Sequence, residues 1–209
     1  MLAAMTSRTM SAPVGLGELL PRADHPVVLG GLNWAGYQAL HTLRGDRRRP
    51  KLAYLDGAVE LMATSREHET IKRCIGTLIE VFCHERRIPW SSYGNWTLDD
   101  ESEAAGAEPD ECYVFDPDPK RRPRPDLAIE VIRTSGGLDK LEVYRRLRVR
   151  EVWFWKADAI GVHALASTGY ERQRHSVCLP GIDLAKVCAL ATVEPMSEAA
   201  DRFRATLRS

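Results

Sequence analysis

The residue of this chain whose placement most demands a chemical explanation is Glu130, a glutamate inside an apolar segment. Residues 127–132 read Leu-Ala-Ile-Glu-Val-Ile, and such a continuous run predicts a strand buried on both faces. An ionised carboxylate in that position costs on the order of several kcal/mol unless it is paired, protonated or bound to a metal ion. We therefore expect a partner that compensates the charge of Glu130.

Two aspartates, each preceded by proline, are candidates to share a metal ion with Glu130. Asp126 lies on the same predicted strand, about 13 Å away at roughly 3.3 Å per residue. That separation is too large for two carboxylates to hold one Mg²⁺ at about 2.0–2.1 Å. Asp110 begins the preceding predicted strand, and residues facing each other on paired strands come within about 4.5–5.5 Å. We predict that Asp110 and Glu130 converge on a metal ion, and that Asp126 forms a turn.

Lys140 is also placed against its usual preference. On a helical wheel of the next predicted helix it falls in the apolar arc with Leu141, Tyr144 and Leu147. It also lies in the first helical turn, whereas cations favour the other end of a helix. Its aliphatic stem could bring the ammonium group to the edge of the helix. Beside a buried Glu130 we instead expect the ammonium group to face that carboxylate.

A carboxylate pair, a lysine and a divalent cation suit the hydrolysis of phosphodiester bonds. Mg²⁺ or Mn²⁺ would polarise a phosphoryl oxygen and lower the pKa of an attacking water, while Lys140 would orient that water or stabilise developing negative charge. Three further residues could approach the site and orient its ligands: His68, Glu69 and Glu60. For His68 and Glu69 a capping or surface role is an equal alternative, and for Glu60 the alternation along its hairpin predicts solvent exposure.

The elements that must position these residues follow from periodicity and turn signals. The pattern predicts a helix from 33 to 43, a hairpin over 54–62 that turns at Asp56-Gly57, and a long helix over 65–85 with a Thr64–Glu67 capping box. Strands are predicted over 90–98, 111–115 and 127–132, the first two separated by an acidic loop over 99–107. A helix opening at Gly136-Gly137, a strand over 152–155, its hairpin partner over 160–165 and an edge strand over 170–179 complete the order. This order predicts an α/β (α+β) domain built on a mixed sheet.

Three parts of the chain differ in composition. Residues 1–30 are predicted to be a loosely ordered arm, residues 31–195 a single domain and residues 196–209 a helical tail. The 29 basic and 29 acidic residues balance, so net charge alone does not indicate a nucleic-acid-binding protein. Five cysteines without CxxC spacing favour reduced thiols. With no apolar stretch suited to a signal peptide or a membrane span, we expect a cytoplasmic protein.

The chain resembles the Uma family, a branch of the PD-(D/E)XK nuclease superfamily that is grouped with the restriction endonucleases. The resemblance extends from about residue 30 to 190 and rests on several segments together. These are residues 54–57 (Tyr-Leu-Asp-Gly), Ser65 with His68 and Glu69, 108–113 (Glu-Pro-Asp-Glu-Cys-Tyr), 125–131 (Pro-Asp-Leu-Ala-Ile-Glu-Val), 134–137 (Thr-Ser-Gly-Gly), 139–144 (Asp-Lys-Leu-Glu-Val-Tyr) and 151–154 (Glu-Val-Trp-Phe).

The resemblance implies a restriction-endonuclease-like core of helix, three strands, helix and strand, extended by an N-terminal helix and hairpin. It also implies an Mg²⁺-dependent endonuclease acting on DNA, with homodimerisation by analogy. Asp110 matches the motif's aspartate and Glu130 its second acid. The motif's lysine should fall at Ile132, so Lys140 would fill that role from the following helix. Two alternatives stay open: a nuclease-derived binding or assembly module that has lost its chemistry, and a nuclease acting on RNA.

Overall fold

Two β-sheets with helices packed against them make up the described part of the computed structural model, which covers residues 23–134 and 137–208. The helices are α1 (Trp34–Arg44), α2 (Arg66–Arg86), α3 (Lys140–Arg146), α4 (Leu184–Leu190) and α5 (Met196–Arg208). The strands are β1 (His25–Gly30), β2 (Lys51–Leu55), β3 (Ala58–Ala63), β4 (Ser91–Ser92), β5 (Leu98–Asp100), β6 (Ala105–Ala107), β7 (Glu111–Val114), β8 (Leu127–Val131), β9 (Glu151–Lys156), β10 (Ala159–Ala166) and β11 (Gly169–Gln173).

The larger sheet has the order β11-β10-β9-β8-β7-β4 and is mixed. Strands β7 and β8 pair antiparallel, whereas β8 and β9 pair parallel and are connected through α3. A parallel connection of this kind needs a crossover, and α3 supplies it. Elements α2, β7, β8, α3 and β9 therefore follow the predicted order, and the predicted α/β class with a mixed sheet is confirmed.

The smaller sheet has the order β1-β3-β2-β6-β5 and carries the predicted hairpin as β2 and β3. It also corrects two predictions. The strand predicted over 90–98 is divided, since β4 joins the larger sheet and β5 the smaller one. The segment 99–107, predicted to be a loop, contains β6, an Ala-Gly-Ala strand of low intrinsic propensity. A Cβ atom on Gly106 would lie 2.5 Å from the Tyr37 hydroxyl, so close packing explains this composition.

Strand β1 lies within the predicted N-terminal arm and corrects that part of the prediction. It pairs antiparallel with β3 along its whole length, from His25 opposite Ala63 to Gly30 opposite Ala58. Residues 1–22 of the predicted arm lie outside the described residues. The division of the chain at residues 30 and 195 stays a prediction. The tail does form a helix, α5, which buries Ala199 and Phe203 in the main core.

The long helix α2 forms as its apolar periodicity predicts, with Ile71, Ile75, Leu78 and Phe82 all buried. The predicted capping box is wrong by one residue. The cap is Ser65, whose hydroxyl accepts a hydrogen bond from the His68 backbone at 3.3 Å.

Helix α3 begins at Lys140, later than the Gly136-Gly137 opening that the sequence predicts. Asp139 is its cap and accepts a hydrogen bond from the Glu142 backbone at 3.1 Å. Ser135 and Gly136 lie outside the described residues, whereas Gly137 precedes the helix. The shift matters because it makes Lys140 the first helical residue.

The five cysteines are free thiols, and Cys74, Cys83 and Cys112 are buried. Within residues 23–134 and 137–208, no helix is both long enough and apolar enough to span a membrane.

Candidate active site

Asp110 and Glu130 face each other across the β7–β8 pair. The register places Glu111 opposite Ile129, so the next pair along is Asp110 with Glu130. Backbone hydrogen bonds continue to that position, since the Asp110 N–H donates to the Ile129 carbonyl at 3.1 Å. Both side chains are buried, with 2% and 7% of the residue surface exposed. The structure therefore brings together the two carboxylates that strand geometry selects.

Lys140 joins this pair from the first turn of α3. Its Nζ atom lies 3.8 Å from Glu130 Oε1 and 3.0 Å from Glu60 Oε1. Burial lowers the pKa of Lys140, but Glu130 and Glu60 outweigh that effect and raise it above its ordinary value. Lys140 is therefore an ammonium ion at neutral pH, and the structure directs it at the acidic residues.

Tyr144, one helical turn after Lys140, also contacts Glu130. The helical wheel placed Tyr144 in the apolar arc and did not predict this contact. Its hydroxyl donates to Glu130 Oε1 at 2.5 Å, and the ring is fully buried. Burial raises the pKa of Glu130, and the negative charge of Asp110 adds to that rise, although Lys140 acts in the opposite direction. Burial and Asp110 therefore destabilise the ionised form of Glu130, and a further positive charge nearby would stabilise it.

Lys51 is the functional candidate that the sequence analysis missed. It begins β2, and its Nζ atom lies 2.5 Å from Asp110 Oδ1 and 2.9 Å from the Pro109 carbonyl oxygen. The sequence did contain a signal for it, because Lys51 directly precedes the apolar run Leu52-Ala53-Tyr54-Leu55. Burial raises the pKa of Asp110, but the positive charges of Lys51 and His68 outweigh it and hold that pKa well below its usual range.

His68 lies between two carboxylates in the interior. Its Nε2 atom is 2.9 Å from Asp110 Oδ2, and its Nδ1 atom is 2.7 Å from Asp24 Oδ2. Asp24 in turn accepts a hydrogen bond from the Ser65 backbone at 2.8 Å, at the start of α2. Burial lowers the pKa of His68, yet Asp110 and Asp24 outweigh it and raise that pKa to about 9. The ring is therefore an imidazolium that holds Asp110, and not a surface group.

Glu60 is buried, and the predicted solvent exposure is wrong. Only 1% of the residue is exposed, and its Oε2 atom accepts a hydrogen bond from the Leu138 backbone at 2.8 Å. A Cβ atom on Gly137 would overlap this carboxylate, so glycine allows the segment before α3 to approach. Alternation along β3 correctly separates its two faces, but another part of the chain covers the polar face.

Glu69 and Asp126 lie apart from this cluster. Glu69 contacts Thr64, Lys72 and Arg49, with ion-pair distances of 2.6 Å to Lys72 and 2.9 Å to Arg49. Asp126 accepts a hydrogen bond from the Phe115 backbone at 2.9 Å, at the opposite end of β7 and β8 from Asp110. Asp126 therefore closes a turn, as strand geometry predicts.

A cavity of about 270 Å³ connects the site residues. The half-buried Ile132 lines it where the family motif would place a lysine. Its charged lining consists of Lys51, Glu60, His68, Glu108, Asp110, Glu130, Arg133, Lys140 and Lys156.

The donor chemistry of this cavity suits a hard divalent cation. Asp110 and Glu130 offer carboxylate oxygens, and Mg²⁺ is commonly held by one or two carboxylates while it keeps several waters. Among the described residues none donates a hydrogen bond to Glu60 Oε1, although Lys140 Nζ lies 3.0 Å from it. In the part of the chain that the structure describes, no three His, Cys, Asp or Glu side chains are arranged to hold one metal ion. The donor set in the described residues is therefore two carboxylates whose oxygens also contact Lys51, His68 and Tyr144. It suits a cation held largely by water and not an all-protein cage.

Comparison with known proteins identifies the family and supports the fold. The model of the family Uma2, described as "Putative restriction endonuclease", matches residues 34–190. Among solved structures, the chain is similar to a protein from Anabaena variabilis ATCC 29413 described as "a putative nuclease belonging to DUF820". The two are 14% identical, with a TM-score of 0.53 over 73% of this chain and 97% of that one. No curated protein matches the chain.

The predicted restriction-endonuclease-like fold is therefore confirmed. The family match covers 157 of the 209 residues (34 to 190 inclusive) and includes Asp110, Glu130 and Lys140. It also includes the strands and helices that position them. This chain belongs to the Uma2 family and, with it, to the nuclease class that the family description names.

Proposed function

We propose that this protein is a metal-dependent endonuclease that hydrolyses phosphodiester bonds in DNA. Asp110 and Glu130 would hold Mg²⁺ or Mn²⁺, and Lys140 would assist the attacking water. The observation that carries the proposal is the in-register pair of buried carboxylates with an ammonium group 3.8 Å from one of them. The bound cation would polarise the phosphoryl oxygen and supply a nucleophilic water at neutral pH.

Lys140 acts as a charged donor and not as a general base. The carboxylates of Glu130 and Glu60 raise the pKa of Lys140, which favours the protonated form at neutral pH. A general base must be able to take up a proton at the working pH, so the raised pKa disfavours that role. The ammonium group can instead orient a water molecule and stabilise the negative charge that develops on the phosphoryl oxygens.

The neighbours of the two carboxylates keep them in position. Tyr144 fixes one oxygen of Glu130, while the Val131 N–H donates to Asp110 Oδ2 at 2.7 Å. Lys51 forms an ion pair with Asp110 Oδ1, and His68 forms one with Asp110 Oδ2. Because these partners are themselves buried, Asp110 and Glu130 are held in place before substrate binds, which is what electrostatic catalysis requires.

A nuclease assay with matched variants tests the proposal. Purified protein is incubated with supercoiled plasmid, linear duplex, single-stranded DNA and RNA, with Mg²⁺, with Mn²⁺ or with EDTA. We expect cation-dependent cleavage of DNA that Asp110→Asn and Glu130→Gln abolish, while Asp126→Asn, a carboxylate outside the site, retains it. Circular dichroism checks that each variant is folded. Absence of cleavage of every substrate with either cation would refute the enzyme proposal, and cleavage of RNA alone would change the substrate.

A second candidate function is a nucleic-acid-binding or assembly module without hydrolytic activity. Two observations favour it: Ile132 replaces the motif's lysine, and Lys51 already occupies Asp110 Oδ1. Calorimetry separates the two candidates, since a competent site should bind Mn²⁺ in wild type and lose that binding in Glu130→Gln. If wild type binds no cation, the module is the better description.

We further propose, by analogy with nucleases that cut both strands, that the active form is a homodimer. Sedimentation velocity at assay concentrations, with and without duplex DNA, tests this directly. A monomer in both conditions would exclude it.

A further inference from the structure

A second depression, of about 600 Å³, lies outside the cavity of the proposed active site. It is called the basic groove here, and it is formed by the α1–β2 connection, the first turns of α2 and the β4–β5 connection. Its lining consists of Arg48, Arg49, Lys51, Arg66, Glu69, Thr70, Lys72, Arg73, Gly94, Asn95, Asp110, Glu111 and Met196. Lys51 and Asp110 line both spaces, so their ion pair is the wall between them.

Two of the three acidic residues of the basic groove, Glu69 and Asp110, form ion pairs within the protein. Glu69 forms ion pairs with Arg49 and Lys72. Asp110 pairs with Lys51. Glu111 keeps its charge, but Ser92 and the Gly94 backbone donate hydrogen bonds to it at 2.9 Å and 2.8 Å. The lining still holds six Lys and Arg side chains against three acidic ones, so positive charge is in excess.

Three arginines of the basic groove keep their charge for a ligand. Arg48 and Arg66 are exposed and form no ion pair within the described residues. Arg73 has 56% of its side chain exposed and reaches Glu80 only at 3.8 Å. An excess of positive charge at a concave surface favours a polyanion, and the planar guanidinium group matches phosphate geometry.

The spacing along α2 favours a ligand with repeated negative charges. Arg66, Thr70 and Arg73 lie at helical positions i, i+4 and i+7, so they share one face. Arg66 and Arg73 are about 10 Å apart along the axis at roughly 1.5 Å per residue. A nucleic-acid strand advances about 3.4 Å per phosphate, so this span corresponds to about three nucleotides.

We propose that the basic groove binds the phosphodiester backbone of a nucleic-acid strand and leads it to Asp110. This inference rests on the proposed function, because it assigns the substrate-binding surface of the same site. The main support for this proposal is that Asp110 lines both the groove and the cavity. A nucleic-acid strand bound in the groove would therefore pass beside Asp110. In this proposal Arg48, Arg66 and Arg73 contact phosphates, and such contacts position a strand without reading its sequence.

Equilibrium binding without cleavage tests the basic groove separately from the chemistry. Fluorescence anisotropy in EDTA measures the affinity of the full chain for labelled duplex DNA, single-stranded DNA and RNA of equal length, over a series of salt concentrations. The test variant is Arg66→Gln with Arg73→Gln, which retains good helix formers. The charge-matched control is Lys120→Gln with Arg121→Gln, both exposed and at the opposite end of β7 and β8 from Asp110.

Removal of two phosphate contacts should lower the slope of log affinity against log salt by about 1.8 for duplex DNA, and the affinity by about 60-fold at 0.1 M salt. The control should bind like wild type. Three results would refute the proposed role of the basic groove. They are an equal loss of affinity in the test and control variants, unchanged binding by the test variant, and no binding of any nucleic acid by wild type. Binding that depends on Arg66 and Arg73 without any cleavage would support the groove and refute the endonuclease instead.

Discussion

The substitution Glu130→Gln makes the sharpest test, because the proposed site predicts opposite effects on stability and on cation binding. Glu130 is buried, and burial together with Asp110 raises its pKa. The folded state therefore holds a proton on this carboxyl over a pH range in which the unfolded chain has released it. Folding stability from this group decreases as pH rises through that range. In EDTA at neutral pH, the substitution should leave the free energy of unfolding unchanged or raise it, with Tyr144 still donating to the new amide oxygen.

With a divalent cation present, wild type should become more stable than the Glu130→Gln variant. A ligand that binds only the folded state stabilises it by RT ln(1 + [L]/Kd), about 2.7 kcal/mol at a concentration of 100 Kd. For a chain of this size, 1 kcal/mol corresponds to about 2–4 °C in Tm, so wild type should gain roughly 5–11 °C. The Glu130→Gln variant loses a carboxylate ligand and should gain little.

Differential scanning calorimetry of both proteins in EDTA and in a Mn²⁺ series provides the measurement. Asp126→Asn is the control, because it changes a buried carboxylate of the same strand region outside the cavity. If Mn²⁺ raises the Tm of wild type and of Glu130→Gln equally, the cation binds elsewhere and the proposed site is wrong. A Glu130→Gln protein much less stable than wild type in EDTA would refute the electrostatic reasoning itself.

Three further predictions concern the neighbours of this pair. Lys140→Met should lower kcat by about 10²–10³ without weakening DNA binding in EDTA, as expected for loss of one charged donor; an unchanged kcat would remove Lys140 from the mechanism. Because the pKa of His68 rises from 6.5 to about 9, its stabilising effect is fully present below 6.5 and is lost as pH rises towards 9. Urea unfolding of His68→Gln should therefore show a weaker decline in stability over that range than wild type, and parallel curves would contradict this. Gly137→Ala should push the Glu60 carboxylate away from the Leu138 N–H and Lys140, and the loss of these buried contacts should destabilise the fold by about 1–3 kcal/mol. The matched Gly161→Ala, whose Cβ would lie 3.6 Å from its nearest neighbour, should cost much less.

The sequence was sufficient to place the acidic pair. The apolar run around Glu130 predicts a buried strand, and Asp110 lies at the start of the strand before it. Antiparallel neighbours in sequence tend to be neighbours in the sheet, so their register follows from local pattern and strand geometry. The role of Lys140 could also be predicted from local sequence. A helical wheel shows a cation in an apolar arc, and α3 directly follows the strand of Glu130.

Only the tertiary structure shows what surrounds the pair. Lys51 contacts Asp110 across 59 residues of sequence, His68 contacts Asp24 across 44, and Glu60 accepts from Leu138 across 78. Alternation along β3 shows that Glu60 faces away from the apolar side of its strand, but not that the segment before α3 covers it. Periodicity reports which face of an element a side chain occupies. Which other element meets that face depends on how the two sheets and α2 pack together, and this packing decides the charge balance at Asp110 and Glu130.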